Sequence, residues 1–152
     1  MKFNSARDIL IFALAKEKAA IQFYKKLAEM VQKTDTAMIF ESLARREQGH
    51  LEAVRTELFK LGYTLDENAE KAGDGPEPTI ELDESDEPVT YLDALRVGVQ
   101  KERSSFNLYA ELMVRSKDLE SRKMFLELAE EEMRHVLQLE HEIELMTGPH
   151  RP

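Results

Sequence analysis

Apolar residues recur three and four positions apart along four stretches of the chain, and each stretch predicts one long helix. In the first, Leu10, Ala13, Leu14, Ala20, Ile21, Leu27, Ala28 and Val31 share a face behind a candidate cap at Ser5 with Asp8 three positions on, so a helix is expected over about 5 to 32. The second face, Ile39, Phe40, Leu43, Leu51, Val54, Leu58 and Leu61, follows a cap at Thr34 or Asp35 and stops at Gly62, which places a helix over about 35 to 61. Thr90 with Asp93 caps a third helix, over about 90 to 116, whose face reads Leu92, Leu95, Val99, Phe106, Tyr109, Leu112 and Met113. The fourth, over about 118 to 146, carries Phe125, Leu128, Ala129, Val136, Leu139, Ile143 and Met146 and ends at Gly148-Pro149. Between the second and third, over about 63 to 88, the periodicity gives way to Gly, Pro and acidic residues. That stretch reads as a solvated connecting strap, with cation binding or docking as its alternative roles. Helices about 40 Å long, two tight turns and one long connection predict a single all-α domain over 1–152, a four-helix bundle with a crossover linker.

Sliding the sequence along itself by 85 positions aligns residues 8 to 57 with 93 to 142 without a gap, at about a dozen identities. Leu10 falls on Leu95, Phe40 on Phe125, Leu43 on Leu128 and Ala44 on Ala129, all packing positions. The two helical hairpins therefore read as a duplication. Among the polar matches are Glu17 with Glu102, Tyr24 with Tyr109, Glu47 with Glu132, and His50 with His135.

These polar residues interrupt apolar faces. Glu17 lies in the stripe of Leu10, Leu14, Ile21 and Ala28, and Glu102 in that of Leu95, Val99, Phe106 and Met113. Glu47 and His50 break the row from Leu43 to Val54, and Glu132 and His135 the row from Leu128 to Leu139, each pair three residues apart on one face. Counted from the tight turns, all six groups fall at about one level, halfway along the bundle. Four carboxylates in an apolar core are prohibitive without compensation, and no Lys or Arg lies on these faces. Two divalent cations would balance four Glu, with the imidazoles completing the donor set. One Glu from each of two helices and a Glu-x-x-His from each of the other two is the known ligand pattern of di-iron and di-manganese carboxylate bundles. The alternative is a purely structural network in which Glu and His pair with one another. Tyr24 and Tyr109, two turns beyond their Glu, would be core aromatics whose hydroxyls find acceptors in the carboxylates of the other hairpin. His141 and His150 are expected at the surface, and the methionines as gap fillers or surface residues.

Composition narrows the chemistry. The chain has no cysteine, so disulfides, iron-sulfur clusters and thiol catalysis are excluded, and any metal must be held by His and carboxylate. With 30 acidic against 21 basic residues the net charge is -9, which disfavours nucleic acid and anionic membrane surfaces as partners. The one N-terminal apolar stretch, Ile9 to Ala15, is too short to span a bilayer, so a cytoplasmic protein is expected.

Through Glu17, Tyr24, Glu47, His50, Glu102, Tyr109, Glu132 and His135, the sequence resembles the ferritin-like superfamily, and within it the di-iron domain of rubrerythrins. The resemblance spans all four helices. It implies two iron ions ligated by the six Glu and His positions, with Glu47 and Glu132 bridging and the tyrosines in support. It also implies reduction of hydrogen peroxide or oxidation of ferrous iron, and a homodimer. Two features depart from the family. Rubrerythrins carry a Cys-ligated rubredoxin domain that delivers electrons, so here a separate donor protein is implied. They also carry a further Glu one turn after the third-helix Glu, where this chain has Ser105.

A mixed carboxylate and imidazole set favours iron or manganese, or a mixed pair, over structural zinc. The leading expectation is a di-iron oxidoreductase acting on peroxide or dioxygen. The alternatives are an iron-handling protein with Fe(II) as substrate, and a non-catalytic helical interaction module.

Overall fold

The computed structural model describes residues 3–31, 34–63 and 90–148, without the side chains of 34–36. The capping role expected of Thr34 or Asp35, the connecting segment 64–89 and His150 lie outside the described residues. Four helices follow one another: α1 (Ala6–Met30), α2 (Thr34–Lys60), α3 (Tyr91–Arg115) and α4 (Leu119–Thr147). Among the described residues there is no extended sheet, and no helix is long and apolar enough to cross a membrane.

The helix ends are held by side chains that the sequence places there. Ser5 Oγ accepts the backbone N–H of Asp8 at 3.2 Å, and Asp8 in return accepts the N–H of Asn4. Thr90 Oγ1 accepts the N–H of Asp93 at 3.1 Å. Asp118, between α3 and α4, accepts the N–H of Ser121 at 3.0 Å. Gly62 terminates α2 at φ 83°, a left-handed conformation that glycine adopts without steric cost.

Each hairpin packs its own two helices closest together, α1 on α2 and α3 on α4. The hairpins meet through α1 with α3 and α2 with α4. The last pair is antiparallel: Ser121 near the start of α4 bonds Glu57 near the end of α2, while His50 meets Glu131 and Glu132 midway. The apolar core is divided in two. One half gathers Leu10, Leu14, Leu51, Leu58, Leu112 and Phe125, the other Leu27, Phe40, Leu43, Leu95 and Leu139. The matched pair Phe40 and Phe125 is fully buried, one ring in each half. Met146, expected on the core face of the last helix, is instead 49% exposed, in the last turn of α4.

Phe40→Ala and Phe125→Ala should each lower the unfolding free energy by about 3–5 kcal/mol, the usual cost of emptying a buried aromatic site. Val114→Ala, at a position 73% exposed, should change it by less than about 0.5 kcal/mol in the same urea titration.

Candidate metal centre

Between the two apolar halves the helices present Glu17 from α1, Glu47 and His50 from α2, Glu102 from α3, and Glu132 and His135 from α4. All six residues are 3% exposed or less. Their positions follow from helical geometry: residues three apart project from one face, and each stands in a row that is otherwise apolar.

The donor atoms form two overlapping groups. Glu17, Glu47, His50 and Glu132 each bring one atom within 4.8 Å of the others, and so do Glu47, Glu102, Glu132 and His135. Glu47 and Glu132 belong to both. His50 Nδ1 lies 2.9 Å from Glu132 Oε1, 3.2 Å from Glu47 Oε2 and 3.7 Å from Glu17 Oε1. His135 Nδ1 lies 3.4 Å from Glu102 Oε2 and 3.9 Å from Glu47 Oε1. The two imidazoles stack in parallel, their centroids 6.0 Å apart.

Proximity here is not hydrogen bonding. Among the described residues, eight buried polar atoms have no hydrogen-bond partner: Glu17 Oε2, both oxygens of Glu47 and of Glu132, Glu102 Oε2, and Nδ1 of His50 and of His135. The short His50 Nδ1 contacts are close in distance but misdirected in angle. A structural Glu–His network would satisfy its own members, since each orphaned polar atom costs about 1–3 kcal/mol and a charged one more. This cluster leaves these atoms unpaired, which weighs against a self-contained network. Lys16, beside Glu17, is buried as well, but its amine sits over the Phe12 ring at 5.0 Å.

The electrostatics show the same strain. Burial, with repulsion from Glu47, pushes the Glu17 carboxyl well above the usual carboxylate range, and burial likewise raises Glu102. Burial also opposes the charge of Glu47, yet the adjacent polar groups of His50 and Glu17, with charge attraction from both imidazoles, hold it below its ordinary value. For His50, burial works against the charged ring, but Glu17 and Glu47 outweigh it and push the ring up to about 11. Without a metal, then, the cluster gathers protons as its countercharge.

Around this centre stand supporting residues. Tyr24 donates its hydroxyl proton to Glu102 Oε1 at 2.7 Å across the hairpin boundary, as the sequence suggests, and lies 3.3 Å from the carbonyl of Gly98. Tyr109 departs from expectation. Among the described residues it makes no matching bond to Glu17; its ring stands edge-on to His50 and stacks on Phe125. Ser105 is half-buried. His141 is exposed, as expected.

Two residues were not legible beforehand. Glu131 Oε2 lies 2.6 Å from His50 Nε2; in the neutral ring, a hydrogen on Nε2 donated to Glu131 would leave the Nδ1 lone pair facing the cluster. Its only sequence signal is its place in the run Glu130-Glu131-Glu132, and the duplication hides it because its counterpart is Arg46. Gly98 lets Tyr24 and Leu139 approach α3, since a Cβ there would stand 3.2 Å from Leu139 Cδ1.

In the metal-free protein, Glu17→Gln should be neutral or stabilising at neutral pH, because glutamine is isosteric with the protonated acid that burial favours. The raised folded-state values of Glu17 and Glu102 contribute stability that is full below their ordinary value near 4.5 and is lost as pH rises through the folded value. Urea titrations across this range should show that decline, and a shallower one in Glu17→Gln.

Comparison with known proteins places the chain among helical bundles. The family model described as Rubrerythrin matches residues 8–143. No curated protein matches the sequence. An uncharacterised conserved protein from Magnetospirillum magnetotacticum superposes with a TM-score of 0.73 at 24% identity, covering 98% of this chain and 99% of that chain. The dodecameric thioferritin of Bacteroides fragilis, a bacterioferritin-related protein, superposes at 0.71 and 21% identity, covering 93% and 85%. Bacterioferritin BfrA of Mycobacterium tuberculosis superposes at 0.69 and 17% identity, covering 97% and 89%.

Proposed function

The chain belongs to the rubrerythrin family, and from that premise we propose that it is a di-iron oxidoreductase that reduces hydrogen peroxide or dioxygen with electrons from a separate donor protein. The observation that carries this reading is the set of eight orphaned buried atoms, all on the six residues Glu17, Glu47, His50, Glu102, Glu132 and His135. Glu17 and His50 would hold one ion, Glu102 and His135 the other, and Glu47 and Glu132 would be shared, as their membership of both donor groups suggests. Two divalent cations set four positive charges against four carboxylates. When bound, a pair of ferrous ions supplies the two electrons that cleavage of one O–O bond requires.

The protein's own residues do the rest. The hydrogen bond from Tyr24 holds the Glu102 carboxylate in one orientation, and the contact with Glu131 holds the His50 ring with Nδ1 turned inward. The apolar halves above and below restrict water, which strengthens every charge interaction between them. A second reading, with Fe(II) itself as substrate, draws on two similar folds being a bacterioferritin and a bacterioferritin-related protein. It draws also on Ser105, which supplies no further carboxylate to the family's larger ligand set.

Reconstituted protein should contain close to two iron ions per chain. His50→Ala and Glu132→Ala should lower that content with little loss of helix signal, and His141→Ala should leave it unchanged. Rapid mixing of the ferrous protein with one equivalent of peroxide should oxidise both irons faster than air does. Repeated turnover of added Fe(II) with dioxygen, without a preference for peroxide, would support the substrate reading instead.

Metal binding must displace the Nδ1 proton of His50, whose ring is pushed up to about 11, and burial favours the neutral forms of Glu17 and Glu102 as well. Affinity should therefore rise with pH across the neutral range, and a weakly buffered titration with Mn(II) should acidify the solution. A pH-independent affinity would contradict the protonated resting cluster.

A further inference from the structure

The two halves of the donor cluster carry the same ligand types, but what stands behind them differs. In the half formed by Glu17 and His50, the ring nitrogen turned away from the cluster, Nε2, meets Glu131 Oε2 at 2.6 Å. In the half formed by Glu102 and His135, every carboxylate contact of the imidazole among the described residues is made by Nδ1, to Glu47, Glu102 and Glu132, and none by Nε2. The residue that the offset of 85 sets in the place of Glu131 is Arg46. Its guanidinium reaches α4 at Gln138, 3.2 Å away and one turn beyond His135. One imidazole therefore has an anion behind it, and the other has a cation at the equivalent position.

The terminal carboxylates differ as well. Tyr24 donates its hydroxyl proton to Glu102 Oε1 at 2.7 Å, whereas Tyr109 stands edge-on to His50. A hydrogen bond donated to a carboxylate draws charge from it, so Glu102 is the poorer donor to a cation and Glu17, with Oε2 unpartnered, the richer one. A carboxylate behind an imidazole acts in the other direction: it fixes the tautomer, orients the ring and raises the basicity of the nitrogen that faces the metal. Glu131, Arg46 and Tyr24 thus all favour the same half. The proton that Glu17 and Glu47 draw to the His50 ring does not cancel this bias, since a divalent ion meets those carboxylates with twice its charge.

We propose that Glu131 makes the Glu17 and His50 half the tight metal site, filled first and emptied last, and leaves the Glu102 and His135 half as the one that exchanges its ion. The proposal rests on the two-metal reading above and goes beyond it by ranking the two ions. Glu131 is a positioning residue, acting on the ion through His50. With Fe(II) as substrate, the exchanging half is where iron enters and leaves.

Calorimetric titration of the metal-free full chain with Mn(II) tests the ranking without turnover. The wild type should take up two ions in two steps at least about tenfold apart in affinity. His135→Ala should keep the tight step and lose the weak one, and His50→Ala should do the reverse. Glu131→Gln can still accept the Nε2 hydrogen but carries no charge, and Glu131→Ala can do neither. Both should weaken the tight step, by about 10–100-fold in the alanine variant and less in the glutamine one, with the weak step and the helix signal unchanged. Glu131→Arg combined with Arg46→Glu moves the acid to the side of His135. In that background the tight step should survive His50→Ala and be lost in His135→Ala, an exchange that a merely structural role for Glu131 would not produce. Two ions bound in equal steps, or a tight step unweakened by Glu131→Ala, overturn the ranking and leave the two-metal reading standing. A chain that binds no Mn(II) overturns both.

Discussion

Four carboxylates and two imidazoles enclosed between apolar layers form the constraint on which the rest of this protein depends. An unpaired buried charge costs several kcal/mol even after relaxation, and here the groups that could relieve it are turned toward a common space rather than toward one another. The metal-free protein answers with protons, holding Glu17 and Glu102 toward the neutral form and His50 toward the charged one. The donor atoms of these groups also gather closely enough that a metal ion could be held among them.

The surrounding fold serves that arrangement. Splitting the core into two apolar halves gives each helix enough buried surface on either side of the polar level to keep the bundle assembled despite it. Because each hairpin contributes one Glu and one Glu-x-x-His, the donors arrive in pairs around a pseudo-two-fold axis. The second coordination of the histidines breaks that symmetry. His50 turns Nε2 to Glu131, whereas the duplicated counterpart of Glu131 is Arg46, which bonds Gln138. The two halves of the site are therefore chemically unequal although their donors are the same.

Much of this is a one-dimensional property of the chain. The four helices, the caps at Ser5 and Thr90 and the stop at Gly62 follow from spacings of three and four and from local side-chain hydrogen bonds, which involve neighbours in sequence. The offset of 85 paired the hairpins, and it picked out the same six polar positions that the structure gathers into one cluster, because polar residues on apolar faces stand out without knowledge of any partner. What only the tertiary structure decided lies across the hairpin boundary, where partners are some 80 residues apart and depend on how the helices are rotated about their axes. That rotation turns Nδ1 of each histidine inward and brings Glu131 to His50. It gives Tyr24 a bond to Glu102 while leaving Tyr109 edge-on to His50, although the two tyrosines are equivalent in sequence. It also leaves Met146 half-exposed, since amphipathic spacing marks a face but not what packs against it.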